Sequence, residues 1–269
     1  MSHQRAVKIG FIDYDGAVNS PESPTAIPVV SAVDPSVGEL SVPDTTKKTL
    51  DLTLKHLWIE QLPEWRWDKR YEGLLSLSID TLDPQEQKQT TTIISNAVEF
   101  SCKRNRVAPG LVARGMFGGV LIERKVNLSI DLVEIDKGFA GKYQEITSII
   151  DGVEEIKTLD VLKGIPYLGV VSGLVKGAVE VFGKGSNDIV WSSIPTLSID
   201  PPAGQPFLRS GMYVVFEERN IKGDAELNFP DMVFDRNMDR VRLTDTAAKD
   251  FEGDLSNCLV FSVDIKPRD

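Results

Sequence analysis

Apolar and polar residues alternate along several separate stretches of the chain. Leu50, Leu52 and Leu54 alternate with Asp51, Thr53 and Lys55, and Leu75, Leu77 and Ile79 with Ser76, Ser78 and Asp80. Val126, Leu128, Ile130 and Leu132 alternate with Asn127, Ser129 and Asp131, and Leu259, Phe261, Val263 and Ile265 with Val260, Ser262 and Asp264. A period of two puts one set of side chains on one face of a strand. One buried face and one wet face imply antiparallel pairing. Shorter strands are predicted at 6–12, 97–102, 119–123, 189–192, 196–199 and 212–217. Strands of this number, separated by turn-rich loops, predict a mainly β chain: an antiparallel β-sandwich forming a single domain over 1–269.

Two stretches depart from that period. Residues 13–48 carry Pro21, Pro24, Pro28, Pro35 and Pro43. Each proline fixes φ and removes a donor, so the expectation is an extended, surface-running N-terminal arm in which 27–33 forms an edge strand. Between 139 and 183 the period becomes helical. Ile146, Ile149, Ile150, Val153 and Ile156 recur at steps of one, three and four, and Gly164 and Pro166 then end one helix and begin another. The expectation is an α-helical hairpin over about 139–183, inserted between strands 126–135 and 189–192.

The second helix of that hairpin places Gly169, Gly173 and Gly177 at steps of four, with Lys176 and Glu180 as its only charges. Glycines at that spacing share a face and let another backbone approach closely. Each costs about 1 kcal/mol of helix stability relative to alanine, so the ridge needs tight packing or a bilayer partner in compensation. Three of the four tryptophans, Trp58, Trp65 and Trp67, fall within ten positions and adjoin Arg66, Lys69 and Arg70. Tryptophan and arginine are enriched at binding hot spots, and tryptophan also at membrane interfaces. Read structurally, the same rings plug one end of the sandwich.

Net charge changes the picture next. Lys and Arg total 30 against 40 Asp and Glu, a net charge of −10, which opposes general binding to nucleic acid. Within that acidic chain, Lys103, Arg104, Arg106, Arg114, Arg124 and Lys125 make one segment locally basic, suited to a phosphate, a lipid headgroup or an acidic partner. Aspartates gather near strand ends at 80 and 83, at 131 and 136, and at 231, 235 and 239. A sandwich with acidic loops resembles the calcium-binding C2 domains in that respect alone, since no motif of that family is present. The expectation is therefore solvated loop ends, no cofactor, and calcium only as a weakly supported ligand.

Catalytic patterns are missing. His3 and His56 are the only histidines, and no G-x-S-x-G elbow, H-E-x-x-H helix, P-loop or Rossmann glycine pattern occurs. Cys102 and Cys258 are too few and too far apart for zinc or a disulfide framework, which points to a reducing, cytoplasmic setting. The function expected is a non-catalytic interaction module for a protein partner, with Trp58, Trp65, Arg66, Trp67, Arg70, Gly169, Gly173, Lys176 and Gly177 as contact residues. The alternative is a membrane-active protein, a pore-former or cell-death effector, storing the glycine-ridged helix against the sandwich. A homo-oligomer, with the arm embracing a neighbouring subunit, is a third reading.

Overall fold

A computed structural model describes residues 7–14, 25–33, 48–60, 70–81, 92–103, 106–108, 112–122, 125–134, 189–193, 196–199, 201, 203–218, 226–250 and 256–268. They form three antiparallel sheets, and the chain is mainly β. The central sheet has seven strands, in the order β3 (Val30–Ser31), β1 (Val7–Ile12), β12 (Gly211–Glu217), β15 (Cys258–Pro267) and β4 (Lys48–Ile59). Two further strands, β7 (Arg106–Val107) and β8 (Arg114–Ile122), share the outer edge of β4. A five-stranded sheet runs β10 (Ile189–Ser193), β9 (Lys125–Glu134), β5 (Arg70–Thr81), β6 (Thr92–Lys103), with β11 (Thr196–Ser198) also on β9. The third sheet is β14 (Arg240–Leu243), β13 (Met232–Asp235), β2 (Ala26–Pro28), followed in the chain by the short helix α1 (Asp245–Asp250).

Two cores hold these sheets together, one on each side of the central sheet. In the first, Leu50, Leu52 and Leu54 of β4, Tyr213 and Val215 of β12, and Leu259 and Phe261 of β15 meet Val126, Leu128, Ile130 and Leu132 of β9. In the second, Met212, Val214 and Phe216 of β12 with Cys258 and Val260 of β15 meet Ile27, Met232, Phe234, Val241, Leu243 and Ala247. Strands buried on both faces need apolar side chains at consecutive positions. Hence Met212 to Phe216 and Cys258 to Phe261 are each unbroken apolar runs. This corrects the expectation of one wet face for the last strand: Val260 is fully buried under the three-stranded sheet.

Of the expected arm, residues 15–24 and 34–47 lie outside the described residues. Between them the chain is core: Ile27, Val29 and Ala32 are buried. β2 belongs to the three-stranded sheet and β3 to the edge of the central sheet, so the chain crosses between layers at Val29, whose N–H donates to the Met232 carbonyl. Gly10 lies beneath the crossing, where a Cβ would stand 2.7 Å from Val29 Cγ1. The helical hairpin over 139–183 lies outside the described residues.

An aromatic group locks β12 into the first core. The Tyr213 ring stacks on Phe261 at 5.4 Å between centroids and meets Phe11 edge-on at 5.1 Å. Its hydroxyl donates to the Phe207 carbonyl at 3.0 Å and accepts from the Arg209 N–H at 2.9 Å, tying the preceding loop to the strand. The tyrosine corner of β-sandwiches makes a similar hydroxyl contact to backbone a few residues upstream. Gly211 opens the same strand at φ +145°, and a Cβ there would stand 2.5 Å from Phe11 Cζ. Gly211→Ala is expected to cost more than about 2 kcal/mol, from backbone strain and the clash together. Tyr213→Phe should cost about 1–3 kcal/mol by leaving buried backbone groups unpaired. Gly118→Ala, whose Cβ would meet only Asp51 Oδ1 at 3.8 Å, should cost far less. Urea midpoints for the three variants, at unchanged slope, check the ranking.

Candidate interaction surface

The surface begins with an irregularity in β4. Leu54 pairs with Phe261 and His56 with Val260, so Lys55 is an extra residue on the β4 side. A bulge of this kind reverses the side-chain alternation beyond it. Leu50, Leu52 and Leu54 face the first core, and so do Leu57 and Ile59 after the bulge. His56 and Trp58 therefore fall on the opposite face, in register with Val260 and Cys258 of the second core.

Trp58 is half-buried against that core. The Arg240 guanidinium lies over its ring at 5.6 Å from the centroid, within cation–π range. From there Arg240 Nη2 reaches Met238 Sδ at 3.3 Å, and Met238 is 57% exposed. Both residues sit at the β13–β14 turn, which Asp235 holds by accepting from the N–H groups of Asn237 and Met238 and from Arg242. The Arg242 hydrogen bond, before the turn amides, keeps the Asp235 carboxyl below its ordinary range. Asp231 likewise caps a single 3-10 turn by accepting from Asn228 N. These aspartates are thus engaged in turns, and Asp80 and Asp131 stand in separate strands opposite Asn127 and Ser76. Asp83 and Asp136 lie outside the described residues. Among the described residues no three His, Cys, Asp or Glu side chains form a metal-holding group.

Further cations lie along the outer edge of β4. Arg106 stands opposite Ile59, Arg114 opposite Leu54, and Lys55 lies in the bulge between them. Lys103 closes β6 just before β7. Arg106, Arg114 and Lys103 are exposed, as is Val112 beside them. Among the described residues none of Lys55, Lys103, Arg106, Arg114 and Arg240 forms an ion pair. Elsewhere the pattern is different: Lys8 pairs with Glu226, Arg242 with Asp235 and Asp245, and Lys266 with Asp51 and Asp264.

Behind the surface, a buried polar network closes the strand ends. Glu60 N–H donates to Asn257 Oδ1 at 2.6 Å, Asn257 Nδ2 donates to Glu217 Oε1 at 2.8 Å, and Ser256 Oγ donates to the Glu217 carbonyl. All four residues are buried. Burial, and then the Glu217 charge, push the Cys258 thiol up to about 12, which leaves it protonated and inert.

Of the residues the sequence singled out, the structure places Trp58 at this surface. Arg70 opens β5 opposite Lys103. Trp65, Arg66, Trp67, Gly169, Gly173, Lys176 and Gly177 lie outside the described residues. Sequence reasoning missed Met238 and Arg240, although the turn-forming Asp235, Asn237 and Asp239 between two short alternating runs signal that hairpin. Among the described residues no helix is long and apolar enough to cross a membrane. No protein-family model, curated protein or solved structure matches the chain.

His56, beside Trp58, gives a pH test of this arrangement. It is 4% exposed, and its Nε2 has no hydrogen-bond partner. Burial lowers its pKa from the ordinary 6.5 to about 4, with Asp239 opposing and Arg240 reinforcing. The unfolded chain takes up that proton below about pH 6.5 while the folded chain refuses it until about pH 4. The stability is therefore present above pH 6.5 and lost as pH falls to 4, by about 3 kcal/mol in total. His56→Leu should flatten the urea-midpoint profile over this window. A profile equally steep in the variant would place the effect elsewhere.

Proposed function

We propose that the chain is a non-catalytic module that binds an acidic segment of a protein partner along the outer edge of β4, where Lys55, Arg106 and Arg114 lie, and over the adjoining Trp58, Met238 and Arg240. The observation that carries this reading is five cations that form no ion pair among the described residues of a chain of net charge −10, one of them, Arg240, lying over the half-buried Trp58 ring. Carboxylates are abundant in such a chain, and among the described residues none is spent on these five. Trp, Met and Arg are the residue types enriched where protein interfaces are anchored. Trp65, Arg66 and Trp67 follow β4 directly in the chain and extend the same chemistry. A cytoplasmic location accords with a free, buried Cys258.

The test is fluorescence anisotropy with a labelled synthetic peptide of alternating glutamate and leucine. Binding is expected to weaken at least tenfold in Arg106→Glu/Arg114→Glu and to fall with added salt. Binding that is absent, or indifferent to the charge reversal, overturns the proposal.

One observation favours the membrane-active alternative with its stored α-helical hairpin. Ile189 of β10 pairs with Val133 of β9, so residues 135–188, which hold Gly169, Gly173 and Gly177, leave and rejoin the sheet at one place. A segment rooted at one point can change partners without disturbing the ladder it interrupts. Dye release from anionic vesicles, before and after limited proteolysis, decides this: leakage makes the membrane reading primary, and retained dye with no co-floating protein removes it.

A further inference from the structure

Among the described residues, each sheet edge carries a device that discourages pairing with another chain, except one. β3 and β7 are two residues long, β11 is three, and β2 is three and ends in Pro28. β14 has four residues, two of them Arg240 and Arg242. β10 is irregular between Ile189 and Trp191. β8 shifts register twice against β4 and contains Gly119 at φ +66°. Short length, proline, charge and bulges are the means by which natural sheets blunt their edges.

β6 has none of them. It runs for 12 residues and pairs with β5 residue for residue, from Thr92–Thr81 to Lys103–Arg70, without a register shift. Its sequence, Thr-Ile-Ile-Ser-Asn-Ala-Val-Glu-Phe-Ser-Cys-Lys, has no proline or glycine, and Glu99 is its only charge before the final lysine. Among the described residues no strand pairs with its other side. A long, regular, weakly charged edge either has an occupant or aggregates.

We infer that the occupant is a second copy of this chain, bound edge to edge through β6 about a two-fold axis at Ala97. Alternate residues of β6 direct their N–H and C=O groups toward β5, and the rest direct theirs outward. A symmetric antiparallel pairing must match outward residues with outward residues, so the axis passes a residue rather than a peptide bond. With the axis at Ala97, residues 92 to 102 pair with those of the second copy. Glu99, the one charge in that span, then stands opposite Ser95 of the second copy, a hydroxyl donor, and the smallest side chain of β6 meets its own copy on the axis. Moving the axis to Val98 makes the two Glu99 residues diagonal neighbours, a like-charge contact. The Ala97 register thus keeps the two Glu99 residues apart, and it closes both edges with one symmetric contact.

The test combines mass with register. Sedimentation equilibrium of the full chain should give twice the 29.7 kDa protomer mass. In a Cys102→Ser background, Ala97→Cys should crosslink copies under mild oxidation, because residues paired across a ladder have Cα atoms about 4.5–5.5 Å apart. Ile93→Cys should not, since its equivalent in the second copy lies eight ladder positions away, about 27 Å. Ala97→Lys should shift the mass to one protomer while the circular dichroism stays β-rich. A single-protomer mass for the unmodified chain at all concentrations overturns the inference. A dimer in which both cysteine variants crosslink alike, or neither does, overturns the β6 register.

Discussion

β12 and the first part of β15, Cys258–Phe261, are buried on both faces, and the rest of the fold follows from that constraint. A strand with no wet face satisfies its N–H and C=O groups only through its neighbours. β12 therefore needs β1 and β15, and β15 needs β4, along their lengths. Their side chains then require a covering sheet on either side. Val214, Phe216 and Val260 contribute to one core while Tyr213, Val215 and Phe261 contribute to the other. Each such side chain contributes about 1.5–3 kcal/mol by leaving water, so neither flanking sheet is dispensable.

The cover on the second side is partial, and its limit gives β4 its shape. Beyond Val260, β15 turns polar on that face with Ser262, Asp264 and Lys266, and the matching residues of β4 are Thr53, Asp51 and Thr49. The bulge at Lys55 falls where covered face meets open face. It lets one strand show polar residues outward on one side of the boundary and His56 and Trp58 to the second core on the other. Without the extra residue, Leu57 and Ile59 would face the three-stranded sheet, and Trp58 would enter the first core. Glu60 and Glu217 lie at the far end, where Asn257 links the Glu60 amide to the Glu217 carboxylate. The network fixes the ends of three strands together, which is a structural use of buried carboxylates.

Much of the ladder was legible in the sequence, because β4, β5, β9 and the outer half of β15 obey a period of two. The second core was not, for a physical reason. Alternation reports a strand with one wet face, and the double-sided runs of β12 and β15 suppress it. The three-stranded sheet is built from pieces of three or four residues, too short for a period to register, and one of them sits inside the proline-rich stretch. The bulge did leave a trace: the leucines step by two from Leu50 to Leu54 and then by three to Leu57. At the candidate surface, Trp58 and the basic segment were visible as composition. Arg240 and Met238 were not, since they reach Trp58 through a hairpin far away in the chain.

That long-range contact also explains why Arg240 forms no ion pair among the described residues. Arg240 has Asp239 beside it in sequence, yet its guanidinium lies on the Trp58 ring and reaches toward a thioether. Asp239 is turned by its positive φ of 49° at the hairpin corner, and Asp235 is already held by Arg242. The turn thus uses its carboxylates to make its own backbone regular and leaves Arg240 to the ring. Along the outer edge of β4, β7 and β8 carry Arg106 and Arg114 opposite Ile59 and Leu54. Apolar partners across the ladder cannot neutralise them. Backbone register therefore sets Arg240 over the Trp58 ring from one sheet and two further cations along the β4 edge of another, none of them in an ion pair among the described residues.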